Sequence, residues 1–310
     1  MGSVPRLRCG EFAIYKAYVL LALTTLFWAG NSIAGKLAVG HASPMVLVTA
    51  RWASVMVVLY LLKRGQIAAD WQAIRPRLCY LLLLGALGFT VFSVALYYAL
   101  VYTTAINTSI LQGGMPLFVF AASFVLFSSR ISVEQAAGFV FSFIGVVVIA
   151  MRGELANLIG LDINFGDALM LVAVMAYGIY TAALRSKPQM HWTSLIFILC
   201  VGATLVSLPM LAFEAAQGET ILPDARGWAV IAYVVIFPSL IGQVFYIRAV
   251  ELIGANRAGL FINLLPVWGA LLAVTILGEE FHLYHAVALM AILAGISLAE
   301  YGGRKLSRQE

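Results

Sequence analysis

The chain has 310 residues, 63% of them hydrophobic and 11% charged, with a mean hydropathy of +0.97. Soluble domains are about 45–50% apolar and about 25% charged, so this composition excludes a soluble enzyme or a nucleic-acid binder and points to an all-α integral membrane protein. The net charge of +5 requires no nucleic-acid partner, because basic loops orient a membrane protein and meet the anionic leaflet.

A helix crosses the hydrocarbon with roughly 20 apolar residues, since all its backbone hydrogen bonds close within the segment. Ten such runs are predicted, at 16–37, 44–62, 78–100, 104–128, 133–151, 166–185, 192–213, 227–249, 256–277 and 283–301. The first is too long for a cleaved signal and reads as a retained helix. It carries Trp28, Asn31 and Ser32 and ends at Lys36, read as an interfacial anchor. The second holds Arg51, the one charge expected inside the membrane, read as an interhelical hydrogen-bonding group rather than a carboxylate binder. The third carries Gly88, Phe89, Phe92, Ser93, Tyr97 and Tyr98, a mainly aromatic wall, and the fourth carries Gln112 and Pro116. On the eighth, Pro238 precedes Ser239, Gln243 and Tyr246, spaced to share one helical stripe. Asn263, Pro266 and Trp268 lie on the ninth. These polar and aromatic side chains form the predicted substrate cavity, and Gly88, Pro116, Pro238 and Pro266 are the predicted hinges. The cavity is expected to carry no fixed charge. Cys9, Cys79 and Cys200 have neither disulfide nor metal-ligand spacing, and no cofactor is expected.

Residues 105–149 and 255–299 align without a gap: a polar corner, an apolar run broken by Pro116 or Pro266, a second corner, then a run containing Gly145 or Gly295. The second corner is Ser128-Ser129-Arg130 in one copy and Gly278-Glu279-Glu280 in the other. Self-similarity at a fixed period signals duplication, so residues 1–152 and 153–310 are expected to be two copies of a five-helix unit. Lysine and arginine fix the orientation. With a cytoplasmic N-terminus, fifteen of the 19 basic residues fall on the cytoplasmic side, so both termini are expected there. Five crossings per copy make the second copy inverted, a design of secondary transporters with the substrate near the midplane.

Trp28-Ala29-Gly30-Asn31 with Lys36, Pro44 followed by Ala50-Arg51, Pro116, Pro266 and Leu277-Gly278-Glu279 resemble the drug/metabolite transporter superfamily in its EamA-domain branch. The chain is also similar to that branch's bacterial aromatic-amino-acid exporters. This resemblance implies export of small metabolites across a bacterial cytoplasmic membrane, with the third, fourth, eighth and ninth helices lining the pathway. The expected function is alternating-access export of aromatic and other hydrophobic amino acids by a monomer, with a drug or nucleoside exporter as the alternative. A membrane enzyme is the distant alternative. It would have to use Glu279, Glu280, His282 and His285, which read more simply as a charged corner at a helix start.

Overall fold

The computed structural model describes residues 7–127, 132–153, 164–253, 258 and 261–306, without the side chains of 7–13, 150, 300 and 303–306. The corner at Ser128-Ser129-Arg130 and the side chains of Cys9, Arg6, Arg8, Arg257, Arg304, Lys305 and Arg308 lie outside that description.

Within it the chain is helical, with eleven helices: α1 (Leu7–Ala38), α2 (Pro44–Ala69), α3 (Trp71–Tyr102), α4 (Ala105–Gly113), α5 (Met115–Phe127), α6 (Val133–Ala150), α7 (Phe165–Ser186), α8 (Trp192–Ala216), α9 (Ala225–Ile253), α10 (Ile262–Leu277) and α11 (Leu283–Leu306). Ten runs give eleven helices because the fourth breaks at Gly114, where α4 and α5 meet at 42°. Pro116 stands in the first turn of α5, where its missing N–H costs nothing. Among the described residues six helices are long and apolar enough to cross a membrane, seven with α4 and α5 as one span; α6, α10 and α11 contain shorter apolar stretches. This is a multi-pass membrane protein. Its outward surface is apolar, with Leu61, Leu62, Phe141, Phe143, Leu205 and Met290 exposed, while Asn31, Ser32, Arg51, Asn107 and Gln112 are buried. That distribution suits a lipid surround, in which polar groups must find partners inside the protein.

The main packing pairs are α6 with α11, α2 with α8, α1 with α9 and α10, α7 with α3 and α5, and α4 with α10; α3 also meets α8, and α2 meets α9. The α6–α11 contact shows what holds such pairs together when lipid is as apolar as leucine. A Cβ on Gly138 would lie 2.4 Å from the Gly295 carbonyl, one on Gly145 2.8 Å from the Ala288 carbonyl, and one on Gly295 2.2 Å from Ser142 Oγ. The two backbones therefore touch along a strip of small residues.

Two helices are irregular at corresponding places. Helix α3 widens to a π-helical turn over Ala86–Val91, and α9 does the same over Val235–Ile241. Gly88 lies in the first and Pro238 in the second. The fourth predicted hinge, Pro266, follows a 3-10 turn at Ile262–Leu264.

The loop after α1 is tied to the start of α9. Asp224 caps α9 by accepting from the Gly227 N–H at 2.8 Å, and its other oxygen is 2.7 Å from His41 Nδ1. The Gly227 N–H first, and His41 after it, hold the Asp224 carboxyl below the usual carboxylate range.

Gly295→Leu is expected to destabilise the protein by at least about 1–3 kcal/mol through overpacking, seen as a lower melting temperature in detergent. Gly65→Leu, where a Cβ meets nothing within 4 Å, should leave it unchanged. Because its pKa is depressed on folding, Asp224 contributes stability above its unfolded value of about 3.9. That contribution is lost as pH falls through the lower folded value. Thermal stability of Asp224→Asn should therefore fall less than that of the wild type between neutral pH and pH ~3.

Candidate functional site

Besides a π turn over Ala273–Leu277 in α10, the structure has those of α3 and α9, whose backbone carbonyls accept from side chains of other helices. Tryptophan indoles take up one carbonyl in each: Trp52 Nε1 donates to Phe89 O at 3.2 Å and Trp28 Nε1 to Pro238 O at 3.1 Å. Ser239, in the α9 turn, donates to Val234 O at 2.6 Å.

Beside these turns lies Arg51 on α2, only 7% exposed. Its Nε donates to Ser239 Oγ at 2.8 Å, and its Nη1 donates to Asn31 Oδ1 at 3.0 Å and Tyr97 Oη at 2.9 Å. Tyr97 passes its own proton to Asn31 Oδ1 at 2.9 Å. Four helices, α1, α2, α3 and α9, thus meet at one guanidinium. The interhelical role expected for Arg51 matches this geometry, whereas the expectation of an uncharged site does not: the cluster holds a fixed positive charge. Nη2 has no hydrogen-bond partner among the described residues.

Rings extend from this charge. The guanidinium carbon lies 4.4 Å from the Trp52 ring centre, a cation–π contact. Trp52 stacks on Phe89 at 4.3 Å, Phe89 meets Tyr180 at 5.8 Å, Tyr180 meets Tyr177 at 5.5 Å, and Tyr177 meets Phe92 at 5.2 Å. Trp28 pairs with Tyr246 at 5.4 Å. Gly88 makes room for this row, since a Cβ there would lie 2.2 Å from the Tyr180 ring.

Asn31, Tyr97 and Ser239 therefore converge on Arg51, while Trp28, Tyr246, Phe89 and Phe92 supply rings. Gln112 and Ser32 pair with each other instead, Nε2 donating to Oγ at 2.8 Å, and join α4 to α1. Ser93 Oγ and Trp268 Nε1 are buried without partners. Gln243 and Asn263 are half-buried. Tyr98 points elsewhere, to a cleft of about 360 Å³ lined by Met45, Val94, Pro209, Met210 and Glu214. There its hydroxyl donates to Glu214 Oε2 at 3.0 Å.

The sequence reading passed over Trp52, Tyr177 and Tyr180 as site residues, and over a second polar cluster where α3 ends and α4, α7 and α11 begin. There the Thr103 hydroxyl donates to Asp167 Oδ1 at 2.6 Å, and Asn107 Nδ2 donates to both Asp167 oxygens at 3.3 and 3.2 Å. His285 Nδ1 accepts the His282 backbone N–H at 2.9 Å, so Nε2 carries the proton and donates to Asn107 Oδ1 at 3.1 Å. Glu279 accepts from the N–H groups of Ala105 and Ile106 at 2.8 and 2.9 Å, capping α4. Lys36 donates to the carbonyls of Leu100 and Thr103 at 2.8 and 2.7 Å. It closes the end of α3 and does not stretch toward lipid headgroups, as an anchor would. No group of three metal-binding side chains occurs among the described residues.

The profile of the EamA-like transporter family matches residues 15–151 and, a second time, residues 164–301. The chain belongs to the EamA-like transporter family. Similar proteins include an uncharacterized transporter of Archaeoglobus fulgidus, 29% identical over 91% of this chain and 96% of its own length. The uncharacterized transporters YetK and YyaM of Bacillus subtilis are 25% and 22% identical, over 90% and 91% of this chain and 85% and 92% of theirs. A solved crystal structure shares the fold at a TM-score of 0.57 and 18% identity, covering 91% of this chain and 96% of that one. This EamA-like protein is a membrane transporter.

Tyr97→Phe in the transporter removes a hydroxyl that both accepts from Arg51 and donates to Asn31. The expected cost is about 0.6 kcal/mol and at most about 1.7. Asn31→Leu, which leaves Nη1 and the Tyr97 hydroxyl short of an acceptor, should cost about 1–3 kcal/mol. Thermal unfolding of the purified variants checks the order.

Proposed function

We propose that this protein is a secondary transporter that exports aromatic and other hydrophobic amino acids across the cytoplasmic membrane by alternating access, as a monomer with both termini cytoplasmic. The observation that carries the reading is the central group itself: a guanidinium fixed by Asn31, Tyr97 and Ser239, with rows of aromatic rings leading away from it. A carboxylate has a partner there, and an aromatic body has ring faces to meet.

Two inverted copies, residues 1–152 and 153–310, supply the mechanism, and the packing supports them. Ten crossings result if α4 and α5 form one span and the shorter helices also cross. Exchanging the halves turns the pairing of α1 with α9 into that of α7 with α3, and α2 with α9 into α8 with α3; α2–α8, α6–α11 and α4–α10 map onto themselves. The family profile also matches once in each half. The π turns in α3 and α9, with Gly88 and Pro238, are the bends about which the halves rock. Pro116 and Pro266 bend the neighbouring helices, and Gly113 of one break packs on the other, a Cβ there lying 3.1 Å from the Pro266 ring.

Full-length protein in proteoliposomes should show saturable phenylalanine and tryptophan flux. Phe89→Ala should weaken the apparent affinity for phenylalanine relative to leucine by up to about tenfold, the worth of a favourable ring pair. Transport of cationic dyes without amino-acid flux would select the drug exporter instead.

A further inference from the structure

Among the described residues the bundle places one cation at depth and no anion beside it. On the described helices Glu134, Asp167, Glu214 and Glu251 all stand within the first or last turn, and Glu214 is held by Ser43 Oγ, the Met45 N–H and the Tyr98 hydroxyl. The ion pairs among the described residues are His41–Asp224, Arg248–Glu251 and His282–Glu280, none of which includes Arg51. Its three hydrogen-bond partners, Asn31, Tyr97 and Ser239, are all neutral. A buried guanidinium without a counter-ion is costly, and more so in a membrane. The second half offers no compensation. The two family matches begin 149 positions apart, which sets Cys200 opposite Arg51, and Cys200 is a buried free thiol.

We propose that Arg51 is the carboxylate anchor of this carrier and that the α-amino group of the substrate is dispensable, so that monoanionic acids with an aromatic or other apolar body are carried as well as amino acids. The inference rests on the amino-acid export reading and narrows it. Nε and Nη1 have given their hydrogens to Ser239, Asn31 and Tyr97, which leaves the two hydrogens of Nη2 to donate to a carboxylate, a charge-assisted bond. Trp52 is sandwiched between Arg51 and Phe89, so the body would meet the half-buried rings beyond it, Phe89, Tyr177 and Phe92. An ammonium group brought to the same place meets a like charge and no carboxylate. Were Arg51 only an interhelical tie, its removal would lower stability but leave the preference between anionic and cationic ligands untouched.

Three probes separate the groups: L-phenylalanine, 3-phenyllactate, which lacks the amine, and L-phenylalaninamide, which lacks the carboxylate. Titration calorimetry on purified full-length protein, with inhibition of phenylalanine counterflow in phosphatidylcholine–phosphatidylglycerol vesicles, should give 3-phenyllactate an affinity within threefold of phenylalanine or tighter. Phenylalaninamide should be at least tenfold weaker. Arg51→Gln should erase that gap, and Arg51→Lys should keep it. If Arg51→Gln does not fold, the wild-type comparison decides alone: phenylalaninamide binding as tightly as 3-phenyllactate overturns the proposal. Phenylalanine flux that 3-phenyllactate does not inhibit overturns it while leaving the export reading intact. Absence of flux and binding for phenylalanine, tryptophan and both analogues removes both.

Discussion

Hydrocarbon offers no hydrogen-bond partner, so every polar group that enters the bundle has to be met by another part of the protein. Arg51 is the most demanding of these groups, and the helices around it are arranged to meet it. Asn31 comes from α1, Tyr97 from α3 and Ser239 from α9, residues up to 188 positions away in the chain. The arrangement needs α9 to deliver a hydroxyl to a helix of the other half, which ties the halves together where they meet.

The π turns serve the same constraint from the opposite side. Trp28 and Trp52 each bring an indole N–H to a carbonyl of a widened turn, Pro238 O in α9 and Phe89 O in α3, the latter also accepting from the Phe92 N–H. A tryptophan is suited to this because it brings a single donor on a large apolar ring. Trp52 also lies against the guanidinium, and Trp28 pairs with Tyr246. Structural repair and the aromatic lining are therefore one set of side chains, and a substitution at Trp52 would disturb both.

Much of this was legible in the chain. Apolar runs marked the helices, and the alignment of Pro116 with Pro266 marked the breaks, because the missing N–H of proline leaves a local signature. Gly88 and Pro238 were equally visible, and both fall in π turns. The π turns themselves were not, since one extra residue per turn leaves no pattern in composition. Asp167, Glu214 and Lys36 lie near helix ends, where a charge looks like an ordinary surface group. Their partners, Asn107, Ser43 and the Leu100 carbonyl, come from other segments, and only the packed bundle brings them together.

The lone charge at Arg51 also bears on how such a carrier is powered. Among the described residues no acidic side chain stands at mid-depth to take up a coupling proton, and an anion held by Arg51 would make one unnecessary. On the proposed export of monoanions, each one carried outward would move one negative charge down an inside-negative potential, worth about 2.3 kcal/mol per 100 mV. That is roughly a fiftyfold concentration ratio, supplied by the membrane voltage.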